Sequence, residues 1–285
     1  MREIAANGWR FSCRESGQGG EPVLVLHGFP ETSRMWVGLM RTLADAGYHC
    51  IAPDQRGYSP GACPVAVDEY RYEDLAGDIL AIARAAGFER YHVVAHDWGA
   101  VAAWAALSVD PGPVLSYVAM STPHYGAFAH AVWEDPEEQN YRDVLTLLTA
   151  EDHAAEAALS ADDFATLRAV WSPHPKDEVD DYLTVFRQPG TLTGAINWYR
   201  ACRAHRRALD DPSFAFAPVE TPTTLVWGRD DPYVRPMSLD LAADWMKGEY
   251  RVIELDAGHW LVQEQPDAIA TAVVEHLAAH AASQA

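Results

Sequence analysis

The sequence predicts an α/β fold in which a mostly parallel sheet carries helices on both faces. Short apolar runs such as VLVLHG and YHVVA alternate with longer helical patterns such as SRMWVGLMRTLADAG and YRYEDLAGDILAIARAAG. This alternation is typical of parallel sheets, because each return of the chain to the sheet needs a crossover helix. The 285 residues, of which 49% are hydrophobic, suffice for one such domain with an insertion or for two smaller domains.

The predicted strands begin with a hairpin near the N-terminus. In GWRFSCRES the residues Trp9, Phe11 and Cys13 alternate with polar ones, and the turn SGQGGEP leads into the apolar run VLVLHG. Alternation is typical of a half-exposed strand and a continuous apolar run is typical of a buried one, so we expect the two to pair as a hairpin that enters the sheet. The predicted strands HCIAPD, YHVVAHD and LSYVAMST then follow one helical segment each.

The rhythm of strands and helices is interrupted between His124 and Phe214. This stretch is largely helical, polar and punctuated by proline, and it contains no run comparable to VLVLHG. Strands and helices resume with TPTTLVWGRDD, MSLDLAADWMKG, YRVIELDAGH and QPDAIATAVVEHLAAHAA. A helical insertion between two halves of one sheet predicts a lid over the carboxyl ends of the strands, where open α/β sheets bind their ligands.

The composition narrows the classes of function. The formal net charge is −20, from 21 basic and 41 acidic residues, which disfavours nucleic acids and anionic membrane surfaces as partners. The N-terminal segment lacks an apolar signal sequence, and no run approaches the ~20 apolar residues of a membrane span. Cys13, Cys50, Cys63 and Cys202 include no C-x-x-C pair, which predicts free buried thiols in a reducing cytoplasm and no metal site.

A carboxylate occupies a tight corner in the stretch VVAHDWGAVAAW. Asp97 lies between a strand pattern and an Ala-rich helical pattern, and Ala95 and Gly99, two positions away on either side, have little side chain to clash there. Two further groups follow later predicted strands, namely Asp231 in WGRDDPYV and His259 in DAGHWLVQEQP. Because the carboxyl ends of parallel strands share one edge of the sheet, we expect the three side chains to meet.

The order of these three residues is that of the catalytic triad in α/β-hydrolases, with aspartate in place of the usual serine nucleophile. Each residue alone has another explanation. Asp97 suits a helix N-cap, Asp231 suits a turn before Pro232, and a lone histidine such as His259 is usually structural. Their joint placement favours a triad.

The tetrapeptide HGFP supplies a second feature of the predicted site. It ends the buried run VLVLHG, so we expect the backbone N–H groups of Phe29 and Trp98 to face a common point beside Asp97. Two N–H donors that converge on one point form an oxyanion hole. The alternative is a Gly-Pro loop in which Phe29 is only a packing residue.

The motifs HGFPE, DQRGYS, HDWGA, STPH, NWYR, GRDDP and DAGHW together resemble the epoxide hydrolase branch of the α/β-hydrolase superfamily. The resemblance covers nearly the whole chain. It implies the α/β-hydrolase fold, with core segments of residues 1–123 and 215–285 and a helical cap of residues 124–214 inserted between them. The chain departs from the family pattern at Ala95 and Ala100, where glycines are common, and in the stretch RGYSPGACP.

The resemblance also implies two tyrosines in the cap that activate the epoxide oxygen. NWYR matches the second of them and gives Tyr199. The first is marked less clearly, in the region QNYRDVLTLL, where Tyr141 is preferred over Tyr125 and Tyr182.

The implied reaction opens an epoxide to a vicinal diol without a cofactor or a metal. The carboxylate of Asp97 attacks an epoxide carbon while the tyrosines donate hydrogen bonds to the ring oxygen, which gives a covalent ester. His259, oriented by Asp231, then activates the water that hydrolyses this ester, and the two backbone N–H groups stabilise the oxyanion. Asp231 is preferred over the adjacent Asp230 because the family spacing G-x-x-D from Gly228 reaches it. The expected partners are a small apolar epoxide and water, and a homodimer is left open.

Two other functions are alternatives. A haloalkane dehalogenase shares the aspartate nucleophile and the HDWG corner, but it usually has a polar halide-binding residue at the position of Phe29, and a fluoroacetate-type dehalogenase has arginine at the position of Trp98. A catalytically silent binding scaffold tends to have lost a catalytic residue, whereas Asp97, Asp231 and His259 are all present. The sequence therefore favours the epoxide hydrolase.

Overall fold

The computed structural model describes residues 1–150, 152–172, 174–201 and 214–282. Within these ranges the strands form one sheet in the order β1-β2-β4-β3-β5-β6-β7-β8. The strands are β1 Arg2–Ala6, β2 Trp9–Ser16, β3 Glu21–Leu26, β4 Tyr48–Pro53, β5 Tyr91–His96, β6 Val114–Met120, β7 Thr223–Gly228 and β8 Tyr250–Leu255. All pairs from β4 to β8 along the sheet are parallel, so the predicted mostly parallel sheet is confirmed.

The first strands pair differently from the prediction. β2 pairs antiparallel with β1 and β4, whereas β3 lies between β4 and β5 in parallel pairs. The hairpin predicted from GWRFSCRES and VLVLHG is therefore wrong. The hairpin that does form joins β1 to β2 through Asn7 and Gly8, both of which have positive φ, as the favoured two-residue hairpin turn requires.

Helices cover both faces of the sheet. Every residue of β5, β6 and β7 is buried, which requires cover on both sides, and α3 is buried along most of its length and apolar all round. α1 contacts α11, and α2 contacts α3. The helices of the described residues are α1 Val37–Asp45, α2 Tyr72–Ala85, α3 Trp98–Val109, α4 Tyr125–Glu134, α5 Gln139–Leu148, α6 Ala154–Val170, α7 Lys176–Phe186, α8 Thr191–Ala201, α9 Pro236–Ala242, α10 Leu261–Glu264 and α11 Pro266–Ala279.

The insertion between β6 and β7 is helical. The described part of it contains α4 to α8 and no strand. α5 contacts α6 and α8, and α4 contacts α9 in the second half of the chain. Helix α6 is interrupted where Asp162, Asp163 and Phe164 have positive φ, and the carboxylate of Asp163 pairs with Arg168 and Arg187 across this break. The helical insertion agrees with the sequence pattern, whereas the residue bounds of a separate cap stay a prediction.

Two further predictions concern the state of the cysteines and membrane-spanning helices. Cys13, Cys50 and Cys63 are free thiols, and Cys202 lies outside the described residues. Burial raises the pKa of Cys13 and of Cys50 to about 12, so neither forms a reactive thiolate at neutral pH. None of the helices in the described ranges has the length and hydropathy that crossing a bilayer requires.

Candidate active site

Asp97 lies on a strained corner between β5 and α3. Its backbone has φ 51° and ψ −121°, a conformation that non-glycine residues rarely adopt. A Cβ on Gly99 would overlap the carbonyl oxygens of Leu26 and His27, so this corner needs glycine two residues after Asp97. Although Asp97 is at the N-cap of α3, its side chain makes no capping hydrogen bond. The corner therefore presents the carboxylate at the carboxyl edge of the sheet.

The other two members of the predicted triad meet at the same edge. His259, after β8, donates from Nδ1 to Asp231 Oδ2 at 2.8 Å, and Asp231 follows β7. The second oxygen of Asp231 accepts the backbone N–H groups of Tyr233 and Val234 at 2.8 and 3.1 Å, which fixes the orientation of the carboxylate. On its far side, His259 Nε2 lies 3.6 Å from Asp97 Oδ2. The structure thus brings all three residues together, whereas the side chain of the neighbouring Asp230 is exposed.

The charges of this triad are set by its two carboxylates. Burial acts to lower the pKa of His259, but the charges and hydrogen bonds of Asp231 and Asp97 outweigh it and raise this pKa to about 10. Burial likewise acts to raise the pKa of Asp97, and the nearby His259 outweighs it, so that this pKa lies below its usual range. The two carboxylates therefore favour the imidazolium form of His259.

The backbone N–H of Phe29, one of the two donors predicted for an oxyanion hole, donates to Asp97 Oδ1 at 2.8 Å. The backbone N–H of Trp98, the other predicted donor, acts to lower the pKa of this carboxyl group. A Cβ on Gly28 would overlap the Asp97 side chain, so glycine is required for this close approach of the loop. Oδ1 is thus held by the loop after β3, and Oδ2 remains on the side of His259.

A cavity of about 230 Å³ lies over Asp97 and His259. Both predicted tyrosines line it, Tyr199 from α8 and Tyr141 from α5. Burial, followed by the charge of Asp97, raises the pKa of Tyr199 well above its usual value, so its hydroxyl stays protonated as a donor. The remaining lining is mostly apolar: Phe29, Pro30, Val144, Leu147, Leu148, Leu159, Thr166, Leu167, Val170, Tyr233 and Trp260.

The two alternatives to Tyr141 lie elsewhere. The hydroxyl of Tyr182 donates to Glu178 and Glu31 at 2.5 and 3.2 Å and does not line the cavity. Tyr125 lines a second cavity of about 470 Å³, which Tyr141 also lines. Of the three candidates for the first tyrosine, Tyr141 is the one that shares a cavity with Asp97.

Three buried side chains behind His259 belong to quoted motifs but were not predicted as part of the site. His96 Nε2 donates to the carbonyl oxygen of His259 at 2.9 Å, and Ser121 Oγ donates to the same oxygen at 3.2 Å. Glu31 Oε2 lies 3.3 Å from His96 Nδ1, and both side chains are fully buried. The motifs HGFPE, HDWGA and STPH contain Glu31, His96 and Ser121 respectively, so the available signal was a polar or charged residue that the predicted reaction did not use.

One group in the described part of the chain has a donor set suited to a cation. Ligand atoms of Glu31, His174 and Glu178 lie within 4.8 Å of one another. The amide of Gln263 already donates to one oxygen of each carboxylate at 2.7 Å, and Tyr182 donates to the same oxygens. These oxygens are therefore satisfied without an ion, and the expectation of a metal-free reaction stays a prediction.

Comparisons with known proteins agree with the fold. A family model described as alpha/beta hydrolase fold matches residues 21–266. The chain is 32% identical to epoxide hydrolase A of Mycobacterium tuberculosis over 97% of this chain and 96% of that protein, and 30% identical to the AB hydrolase superfamily protein YfhM of Bacillus subtilis over 96% of each. Epoxide hydrolase A from Mycobacterium thermoresistibile has a TM-score of 0.82 at 28% identity, with 97% of each chain covered. An epoxide hydrolase of Bacillus megaterium has a TM-score of 0.88 at 23% identity over 97% of this chain and 100% of that one, which supports the fold.

Proposed function

Since the chain belongs to the epoxide hydrolase branch of the α/β-hydrolase superfamily, we propose that it opens epoxides to vicinal diols through an ester on Asp97. The observation that carries this proposal is the unequal environment of the two carboxylate oxygens. Oδ1 is held by the backbone N–H of Phe29, and Oδ2 lies on the side of His259 beside the cavity. Oδ2 is then the nucleophile, and Oδ1 becomes the carbonyl oxygen that an oxyanion hole must stabilise.

Ring opening needs a donor for the oxygen that leaves the attacked carbon. As Asp97 forms its bond to the epoxide carbon, the C–O bond of the ring breaks and its electron pair goes to the oxygen. Tyr199 and Tyr141 line the same cavity as Asp97, and the raised pKa of Tyr199 keeps its proton available at neutral pH. We propose these two hydroxyls as the donors to the developing alkoxide.

Ester hydrolysis needs a neutral His259. In the free protein the charge of Asp97 contributes to the raised pKa of His259, together with Asp231. Alkylation converts the Asp97 carboxylate into a neutral ester and removes that contribution, so the pKa of His259 falls, and the proton that it releases offsets the one taken up by the new alkoxide. The neutral His259 then takes a proton from water, and the resulting hydroxide adds to the ester carbonyl. The bond from the carbonyl carbon to Oδ2 breaks, the diol leaves as an alcohol, and Asp97 is again a carboxylate beside an imidazolium that Asp231 stabilises.

The lining of the cavity also indicates the class of substrate and the organisation of the chain. The mostly apolar lining of the cavity suits a small apolar epoxide, and helices α5, α6 and α8 supply much of that lining. We therefore propose residues 124–214 as a cap over a core of residues 1–123 and 215–285. Action in the cytoplasm and a homodimer stay predictions.

The decisive experiment removes the base and retains the nucleophile. In His259→Gln, Asp97 still attacks the activated ring, but nothing activates the hydrolytic water, so the ester should accumulate to about one per chain. Intact-mass analysis after addition of an epoxide measures the adduct, and peptide mapping places it on the segment AHDWGA. His276→Gln is the matched control, because it removes a buried histidine outside the cavity and should turn over without an adduct.

Direct attack of water on the epoxide would give a different result. Asp97 would then act only as a base, and His259→Gln would carry no adduct under saturating epoxide. A single turnover of the unmodified protein in oxygen-18 water separates the two mechanisms further. The ester mechanism labels a carboxylate oxygen of Asp97, whereas direct attack labels the diol alone.

Loss of either cavity hydroxyl should slow ring opening. We expect Tyr199→Phe and Tyr141→Phe each to lower the rate of ester formation by about 10- to 100-fold, with the fold retained, because only a donor is removed. Single-turnover mass spectrometry in the His259→Gln background measures that rate. Tyr250→Phe, which removes another buried hydroxyl outside the cavity, is the control. A parental rate in both cavity variants would contradict the assignment of the tyrosines.

A further inference from the structure

The indole N–H of Trp98 is a buried donor that lacks an acceptor. Trp98 is the first residue of α3, next to Asp97, and its side chain is 2% exposed. Within the described residues its Nε1 has no hydrogen-bond partner, and solvent does not reach it. Buried N–H groups in folded proteins are nearly always paired, so an unpaired one beside a nucleophile calls for an explanation in the reaction.

The phenol ring of Tyr199 packs directly against this indole. The two ring centroids are 4.9 Å apart at an interplanar angle of 77°. Phe29 packs against Tyr199 at 5.4 Å and 80°, so two perpendicular rings hold the phenol in place. Burial and then the charge of Asp97 raise the pKa of Tyr199, whereas the indole N–H of Trp98 acts in the opposite direction. The unpaired indole donor and the phenol of Tyr199 therefore belong to one buried ring contact.

We propose that the indole N–H of Trp98 donates to the phenol oxygen of Tyr199 while Tyr199 donates its own proton to the epoxide oxygen. This inference rests on the proposed function. As the C–O bond of the ring breaks, the proton of Tyr199 shifts toward the new alkoxide and negative charge grows on the phenol oxygen. A donor to that oxygen stabilises the charge, because successive hydrogen bonds in a chain strengthen one another. Trp98 is thus a positioning residue that acts through Tyr199.

The donor should matter for ring opening alone. Hydrolysis of the ester depends on His259 and on the backbone N–H groups, and a change in the side chain of Trp98 leaves its backbone N–H in place. Trp98→Phe removes the indole donor and keeps an aromatic ring against Tyr199. We expect it to slow ester formation about tenfold, the value of one hydrogen bond to a partly charged group, and to leave the rate of ester hydrolysis within about twofold.

A double-mutant cycle in the His259→Gln background tests this coupling. Ester formation is followed by mass spectrometry in single turnovers for Trp98→Phe, Tyr199→Phe and the double variant. With Tyr199→Phe already present, the further change Trp98→Phe should have an effect of less than about twofold, because the acceptor is gone. Trp98→Leu, which also lacks the donor, should reproduce both results. Trp104→Phe, which removes a buried indole donor from the same helix outside both cavities, should leave ester formation unchanged.

Each outcome bears on a different claim. Equal slowing by Trp98→Phe with and without Tyr199 would overturn the coupling and leave the proposed function intact. No slowing by Trp98→Phe in either background would overturn it as well. If Tyr199→Phe itself forms the ester at the parental rate, the tyrosine assignment and this inference both fail. If no ester forms in His259→Gln, the nucleophilic mechanism fails before Trp98 is in question.

Discussion

Buried histidines lie at both ends of the central sheet, in contrasting surroundings. At the carboxyl ends of the strands, His259 lies 2.8 Å from Asp231 and 3.6 Å from Asp97. At the amino ends, His276 of α11 shares a hydrogen bond with Thr224 at the start of β7. His92 at the start of β5 shares a hydrogen bond with Ser116. Both regions exclude water almost completely. They differ in the charges that surround the imidazole.

The pKa values of these histidines separate the effect of burial from the effect of charge. Burial, with the repulsion of His280 and His92, lowers the pKa of His276 to about 3. Burial also lowers the pKa of His92, even though Glu21 lies 3.5 Å away. Two close carboxylates raise the pKa of His259 to about 10 in an equally buried position. The protonated state of the site is therefore a consequence of its acids, and removal of an acid should make His259 behave like the histidines at the other end.

The largest effect should come from Asp231→Asn. The amide favours the wrong tautomer of His259 and does not stabilise its imidazolium, so ester hydrolysis should slow by about 10³- to 10⁴-fold while the ester on Asp97 still forms. Single-turnover kinetics that follow the ester and the diol separately measure both steps. Asp230→Asn, at the adjacent exposed position, is the control and should hydrolyse the ester at the parental rate. Full activity in Asp231→Asn with loss in Asp230→Asn would reverse the assignment.

A smaller effect, on stability, is expected from Glu138, a buried carboxyl near the triad. Its Oε1 accepts the backbone N–H of Arg235 at 2.7 Å. Burial is the main reason that its pKa is raised from 4.5 to about 7, and the charges of Asp135 and Asp231 add to it. A nearby carboxylate favours the charged form of an imidazole, as at His259, but it favours the neutral form of another carboxyl group, as at Glu138. The stability that the protonated carboxyl contributes is full below pH 4.5 and is lost as the pH rises through 7.

Glu138→Gln keeps an acceptor for Arg235 and cannot ionise. Between pH 5 and pH 8 its free energy of unfolding should therefore rise by about 2 kcal/mol relative to that of the parent protein. Urea denaturation at the two pH values measures this difference. Glu137→Gln, at the neighbouring exposed position, should leave the pH dependence of the parent unchanged. An identical pH dependence in Glu138→Gln and the parent would contradict the shifted pKa of this carboxyl.

The smallest effect should come from the opposite end of the sheet. The folded pKa of His276, about 3, lies below its ordinary value of 6.5, so the stability of the neutral form is present above pH 6.5 and is lost as the pH falls toward 3. Between pH 7 and pH 5 this residue should cost about 1 to 2 kcal/mol of unfolding free energy. His276→Gln should remove that part of the acid sensitivity in urea denaturation. His153→Gln, at an exposed position, should retain the acid sensitivity of the parent protein. An equal loss of unfolding free energy in His276→Gln and the parent between pH 7 and pH 5 would contradict the low pKa of His276.

Much of the fold could be predicted from local patterns. The apolar runs VLVLHG, YHVVA and LSYVAMST became β3, β5 and β6, because strands buried on both faces must be apolar throughout. The triad residues could be proposed together because each follows a strand of one parallel sheet. The pairing of β2 could not be predicted in the same way. The turn SGQGGEP joins β2 to β3, but a turn between two strands does not determine whether the two strands pair with each other. The stronger signal was Asn7-Gly8, which forms the actual hairpin.

The rest of the site depends on contacts between distant residues. The side chains of Glu31 and His174 are in contact although the two residues are 143 positions apart in the sequence, and no local pattern predicts such a contact. The helix predicted from MSLDLAADWMKG ends early, at Ala242, because Val219 forms a bridge with Met246. The position of Tyr141 beside Tyr199 likewise depends on how α5 and α8 pack, which the weaker markers in QNYRDVLTLL do not indicate.

Because Phe29 hydrogen-bonds to one oxygen atom of Asp97, only the other oxygen atom of this carboxylate is replaced during turnover. In the proposed reaction Oδ2 enters the ester and leaves with the diol, and an oxygen from water takes its place. Oδ1 stays in the protein through every cycle, because the backbone donor and the close approach of Gly28 keep the carboxylate from rotating. The oxygen atom that each diol takes from Asp97 is then the one that entered the carboxylate from water in the preceding turnover. In isotopically heavy water the protein should consequently gain a single heavy oxygen at Asp97, however many substrate molecules it converts.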